Sequence, residues 1–192
     1  MSKRIFIVHG WSGHPLEGWF PWLKTELEKK GFAVFVPQLP GADHPKIENW
    51  VPALAAAVGT PDTETYFVGH SMGCQTIARY AAMLGEGQIL GGAVFVAGFF
   101  KRLTGFEAPN ELIIWDTWRL APLDLATVKI HLPKSIAIFS DNDLLVSADN
   151  QADFKNKLGS KIIVEHEMGH FSGSDGVLEL PVVFNAIQEL AG

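Results

Sequence analysis

The chain has a single cysteine, Cys74, so no disulfide forms within it and no disulfide-dense secreted scaffold is in question. It also lacks any apolar run approaching the ~20 residues of a membrane-spanning helix. The N-terminal MSKRIFIVHG carries an apolar stretch shorter than the core of a signal peptide. Basic residues are not in excess: 15 Lys and Arg against 21 Asp and Glu give a net charge of −6, with no long run of either sign. A phosphate backbone or an anionic bilayer is repelled on average by such a surface. Neither nucleic acid nor a membrane is therefore an expected partner, and the expected location is the cytoplasm. Internal repeats, low-complexity tracts and Pro-, Gly- or Ser-rich linkers are missing too. With 192 residues, 47% of them hydrophobic, residues 1–192 read as one domain around one core.

What the sequence does contain is a regular alternation. Residues 4–8 (RIFIV), 32–36 (FAVFV), 65–68 (TYFV), 93–97 (AVFVA), 135–139 (SIAIF) and 161–164 (KIIV) are short, continuous apolar runs, which predicts strands buried on both faces of a parallel sheet. Between them, residues 20–30, 46–58, 72–84, 149–158 and 177–190 carry apolar positions at helical spacing. Gly31, Gly59, Gly85 and Gly159 stand where helices stop. Strand and helix in turn predict a doubly wound α/β sheet, a three-layer α/β/α sandwich. Residues 99–133, rich in aromatic and turn residues, show no clear period and are a candidate lid.

One motif has the context that gives it meaning. Gly69-His70-Ser71-Met72-Gly73 fits G-x-S-x-G, follows a predicted strand and opens a predicted helix. A serine on such a turn is pushed clear of the sheet by a strained backbone, and glycines on either side leave room for it. The helix N-terminus behind it offers N–H groups to a developing oxyanion. A nucleophilic serine needs a base, and the base needs an acid to orient it. Both are expected after later strands, because a parallel sheet delivers all its carboxyl ends to one edge. SDNDLLV after the fifth strand offers Asp141 and Asp143; EHEMGHF after the sixth offers His166 and His170. His170, deeper in its loop and beside Gly169, is the better placed base. Asp141 suits the capping of loop N–H groups, which favours Asp143 as the acid. Asp141 and His166 remain the alternatives.

His166-Glu167-Met168-Gly169-His170 also fits H-E-x-x-H, which binds zinc when a helix presents both histidines on one face. Here β-branched residues precede the pattern, and Gly169, Gly173 and Gly176 fall in and after it, so the segment reads as a strand entering a loop. A zinc peptidase is kept as an alternative, as is a binding module on the same fold without catalysis. Neither metal nor cofactor is expected.

GHSMG, SDNDLLV, MGHF and FIVHGW together resemble the α/β-hydrolases. More narrowly, the chain resembles the compact serine hydrolases grouped with the retinoblastoma-binding hydrolase and its bacterial relatives, a similarity that extends to GWFPWLKTELEKKGF, PQLP and WDTWRL. The resemblance implies the minimal α/β-hydrolase fold, about six parallel strands in the order 2-1-3-4-5-6. It implies Ser71 as nucleophile, Asp143 as acid and His170 as base, with an oxyanion hole from the backbone N–H groups of Trp11 and Met72. The serine motif and the order of its partners point to a carboxyl ester, thioester or amide, and tryptophans able to wall a cleft point to a small acyl group, while the resemblance adds little about substrate. The L-x-C-x-E motif tied to retinoblastoma binding is absent here, so no such partner carries over.

Among the remaining residues, Trp11 and Trp115 are candidates for an aromatic cleft wall, the other tryptophans for the core. His9, before Gly10, is expected to support the oxyanion loop by hydrogen bonding. His14, His44 and His131 suggest no role, and Cys74, on the helix behind the serine, reads as a small buried residue.

Overall fold

The computed structural model describes residues 2–101, 103–104 and 109–192. Six strands, β1 (Arg4–Val8), β2 (Ala33–Phe35), β3 (Thr65–His70), β4 (Gly92–Val96), β5 (Ser135–Ser140) and β6 (Lys161–Glu165), form one sheet in the order β2-β1-β3-β4-β5-β6. All five pairings are parallel. The helices are α1 (Phe20–Lys29), α2 (Ile47–Val58), α3 (Met72–Ala82), α4 (Pro109–Leu120), α5 (Leu125–His131), α6 (Asn150–Asp153) and α7 (Pro181–Ala191).

The continuous apolar runs are explained by this layering. α1 packs with α7 over one face of the sheet, while α2 and α5 flank α3 on the other, so β3, β4 and β5 are buried at every position. The edges differ. β2 is only three residues long, which limits the unpaired backbone it offers to other chains, and β6 carries only exposed and half-buried residues.

Two differences from the sequence pattern have local causes. Residues 99–133 contain two helices, α4 and α5, where no period was legible; residues 102 and 105–108 of that stretch lie outside the described residues. In α4, Trp115 and Trp118 are buried while Ile113 and Leu120 are two-thirds exposed, so apolar residues fall on both sides and the stripe is blurred. The predicted helix over 149–158 is split: after α6 the chain widens into a π turn at Phe154–Leu158, closed by Gly159 in the left-handed conformation.

Candidate active site

All six strands run in one direction, so β1, β3, β5 and β6 deliver the loops that follow Val8, His70, Ser140 and Glu165 to the same rim. Ser71 occupies the single residue between β3 and α3. Its backbone lies at φ 51°, ψ −118°, a region costly for any residue with a Cβ. The two glycines of the motif make the turn sterically possible. A Cβ on Gly73 would lie 2.2 Å from the carbonyl oxygen of Val8, and one on Gly69 would lie 2.9 Å from the amide of Cys74. Although Ser71 is the N-cap of α3, its side chain makes no capping bond. The hydroxyl is directed elsewhere: its Oγ is 2.9 Å from Nε2 of His170.

The imidazole continues the line. His170 Nδ1 lies 2.8 Å from Oδ2 of Asp143, whose side chain is almost wholly buried. A carboxylate accepts, so Nδ1 carries the proton and Nε2 is left to accept from Ser71. Oδ1 of Asp143 is occupied by the amides of Leu145 and Val146, at 2.8 and 3.0 Å, which fix the carboxylate in its own turn. Capping was the ground for preferring Asp143 over Asp141, yet both aspartates cap. Asp141 accepts from the Glu167 amide at 2.9 Å and pairs with His166 at 2.6 Å, on the exposed outer side of the loop. The alternatives to the acid and the base are thus bonded to each other, apart from Ser71.

The loop that carries His170 is held along its length. Four consecutive amides, of Glu167, Met168, Gly169 and His170, donate to Asp141, Ser140 Oγ, Asn142 and Asp175, at 2.8 to 3.0 Å. Glu167, Gly169 and Phe171 all have positive φ, a turn that no helix could follow. The H-E-x-x-H geometry is therefore missing. Among the described residues, no three His, Cys, Asp or Glu side chains are grouped to hold a metal. Gly169 has a second reason to be glycine: a Cβ there would meet the Asp175 carboxyl group at 2.7 Å. Burial pushes the Asp175 carboxyl up, but hydrogen bonds from Ser172 and His170 outweigh it and hold the group below its ordinary range. The S-x-x-D spacing of Ser172 and Asp175, here a capping box, was the available signal for this residue. Ser140 and Asn142 had only their place in SDND.

His70 is a further residue with no sequence signal beyond the variable position of the motif. It is buried, and its Nε2 donates to the carbonyl oxygen of His170 at 2.8 Å. Burial pushes its pKa down to about 3, with His170 close by adding to the effect, so the ring is neutral.

Trp11, Ser71, Met72, Phe99, Leu145 and His170 are among the residues lining a cavity of about 780 Å³ at this rim. Met72 is the first residue of α3, where an amide has no partner within its own helix. His9 supports the neighbouring loop as expected. It is fully buried, its Nδ1 is 2.8 Å from the Gly10 carbonyl, and its Nε2 accepts from the Leu39 amide at 3.0 Å. Burial lowers its pKa. The cleft-wall expectation is half right: Trp11 lines the cavity, whereas Trp115 is buried against Phe99, with ring centroids 4.9 Å apart. Four of the six tryptophans instead use the indole N–H to hold loop carbonyls. Trp11, Trp50 and Trp118 donate to Asp43, Pro40 and Pro45, and Trp19 donates to Phe171, next to His170. Cys74 is buried as expected, its thiol pushed up by burial and its Sγ 3.2 Å from the Gly69 carbonyl.

Known proteins share this arrangement of chain. The YdeN protein of Bacillus subtilis is 27% identical over 187 residues, covering 97% of this chain and 95% of YdeN. Its crystal structure superimposes with a TM-score of 0.89 over 98% of both chains. Serine hydrolase RBBP9 of Rattus norvegicus is 24% identical, covering 90% of this chain and 89% of that protein. Est1E of Butyrivibrio proteoclasticus, solved with ferulic acid bound, shares the fold at 16% identity, with a TM-score of 0.75 over 97% of this chain and 86% of its own. The serine hydrolase family model matches residues 5–189, from the first strand into the last helix, and the chain belongs to that family.

Proposed function

We propose that this serine hydrolase cleaves small carboxyl esters, thioesters or amides through an acyl-enzyme on Ser71. One observation carries the reading: an unbroken hydrogen-bonded line from Ser71 Oγ through His170 to Asp143, at the edge of a cavity able to hold a small acyl compound.

In the first half-reaction His170 takes the proton from Ser71 as Oγ attacks the carbonyl carbon, and the leaving alcohol, thiol or amine departs with that proton. Asp143 keeps the imidazole in the tautomer that accepts from Ser71 and offsets the positive charge it gains. The oxyanion is received by the backbone N–H groups of Trp11 and Met72, of which either one is worth roughly 3 kcal/mol in the barrier. In the second half-reaction His170 takes a proton from water as the hydroxyl adds to the acyl carbon, the acyl–Oγ bond breaks to release the acid, and Oγ recovers its proton from His170. No step calls for a cofactor, and the partner in this reading is a small-molecule acyl substrate.

A fluorophosphonate probe tests the reading. Covalent labelling of the native protein that disappears in Ser71→Ala is expected. A folded protein that takes no label would make this a binding module on a hydrolase fold. A graded series of p-nitrophenyl esters then tests the acyl group, with short chains expected to be preferred over long ones.

A further inference from the structure

His70 stands next to the nucleophile, yet no step of the hydrolysis uses it. Its ring is wedged edge-on by Trp19 and Phe20, with centroids 6.1 and 6.2 Å away, and lies 5.1 Å from the ring of His170. The aim of its donor is therefore set by aromatic packing. A carbonyl oxygen only accepts, so the 2.8 Å contact with His170 requires the proton on Nε2 of His70.

The contacts that hold His170 come from different parts of the chain. Asp143 holds the ring and Asp175 the amide, both from loops that do not carry the nucleophile. Two contacts come from the strand-to-helix turn itself: Ser71 to the ring and His70 to the carbonyl. The first is lost in the acyl-enzyme, because an ester oxygen has no proton to donate. The second does not involve the reacting hydroxyl and persists through both half-reactions.

We propose that His70 is a positioning residue, which keeps His170 in register with Ser71 while Ser71 carries the acyl group, and which serves deacylation above all. The inference rests on Ser71 being the acylated nucleophile. In the step it serves, water adds to the acyl carbon as His170 takes its proton, the acyl–Oγ bond breaks, and the proton returns to Oγ. Burial that keeps His70 neutral suits the task. The charges of Asp143 and Asp175 favour its protonation but are outweighed, so no second cation faces the imidazolium that forms on His170.

The test compares His70→Phe, His70→Asn and His70→Gln with the native protein in pre-steady-state hydrolysis of p-nitrophenyl acetate. Phenylalanine keeps a ring without a donor, asparagine offers its amide near the Nδ1 position, and glutamine near the Nε2 position. His70→Phe and His70→Asn are expected to slow the steady-state phase on the order of 10²-fold, as misplacement of a reacting group does. The burst should slow much less, so that acyl-enzyme accumulates, and His70→Gln should restore turnover. Native-like turnover in His70→Phe, equal slowing of burst and steady state, or no rescue by glutamine in variants that melt with the native protein would overturn the proposal. If the variants do not fold, imidazole ¹⁵N shifts of the native protein decide: an Nε2–H tautomer at His70 unchanged from pH 5 to 9 is required, and an Nδ1–H or titrating ring overturns it. Absence of fluorophosphonate labelling in the native protein would instead remove the hydrolase reading, and the ring shifts would still report on the His70–His170 bond.

Discussion

Asp141 and Asp143 lie two residues apart on the loop after β5, and each takes one histidine of the loop after β6: His166 at 2.6 Å for Asp141, His170 at 2.8 Å for Asp143. The two pairs look alike in chemistry but differ in setting. The imidazole of His166 is 79% exposed, that of His170 14%, and it is the His170 ring that touches Ser71. Asp143→Asn, which loses the acceptor for Nδ1–H, is expected to lower kcat on the order of 10⁴-fold. His166→Ala is expected to change kcat/KM less than about threefold, in keeping with surface substitutions worth within ~0.5 kcal/mol. Activity that falls with His166 and survives a change at Asp143 would reverse the assignment. Ester hydrolysis is likewise expected to withstand a chelator, because the H-E-x-x-H alternative needs His166 as a ligand.

How far these pairs were legible follows from what each depends on. The rim on which the residues meet follows from parallel pairing of buried strands, visible as unbroken apolar runs, whereas the strand order was implied only by the resemblance to the α/β-hydrolases. Ser71 was legible because strand, glycines and helix all flank it within a few residues. His70 and Asn142 were not, since each acts by bonding a backbone group of a distant loop, and backbone groups leave no letter in the sequence; Asp175 bonds amides of its own loop, and its S-x-x-D spacing speaks of a cap but not of His170. Trp115 was misjudged for a related reason. An aromatic residue in an irregular stretch looks the same whether it faces a cavity or, as here, packs behind the residue that does.

The strained turn at Ser71 has a measurable cost. At φ 51°, ψ −118° a glycine is relaxed where serine or alanine is not. Ser71→Gly and Ser71→Ala are both expected to be inactive, but the glycine variant should be the more stable by about 1 kcal/mol in urea denaturation. Equal stabilities would mean that the turn stores no strain.

A substitution two residues on acts in the opposite sense. Gly73→Ala places a methyl group 2.2 Å from the Val8 carbonyl, a backbone atom at the end of β1 where it pairs with β3, which cannot swing aside as a side chain would. Overpacking at such a point is expected to cost about 3 kcal/mol, at the upper end for an added methyl group. A Gly73→Ala protein with an unchanged urea midpoint would show that α3 and β1 separate more readily than their packing implies.

Buried neutral histidines make the fold sensitive to mild acid. His70 has its pKa pushed from 6.5 down to about 3 by burial, and burial lowers His9 as well. When a folded-state pKa lies below the unfolded one, the unfolded chain binds the extra proton, so the full stability is present above pH 6.5 and declines as pH falls toward the folded value. From pH 7 to pH 5 the loss attributable to His70 is about 2 kcal/mol at 1.36 kcal/mol per pH unit, and His9 adds to it in the same direction. Asp141 and Asp175 have carboxyl groups held below 3.8, so their share of the acid loss falls at lower pH and does not blur this window. Urea unfolding at pH 7, 6 and 5 measures the slope. Replacing His70 with glutamine removes one titrating ring while leaving an amide to donate, and should flatten the slope by about the same 2 kcal/mol. A native protein equally stable at pH 5 and 7 would mean that His70 takes up its proton in the folded state, and with it the donor geometry at the His170 carbonyl would have to be redrawn.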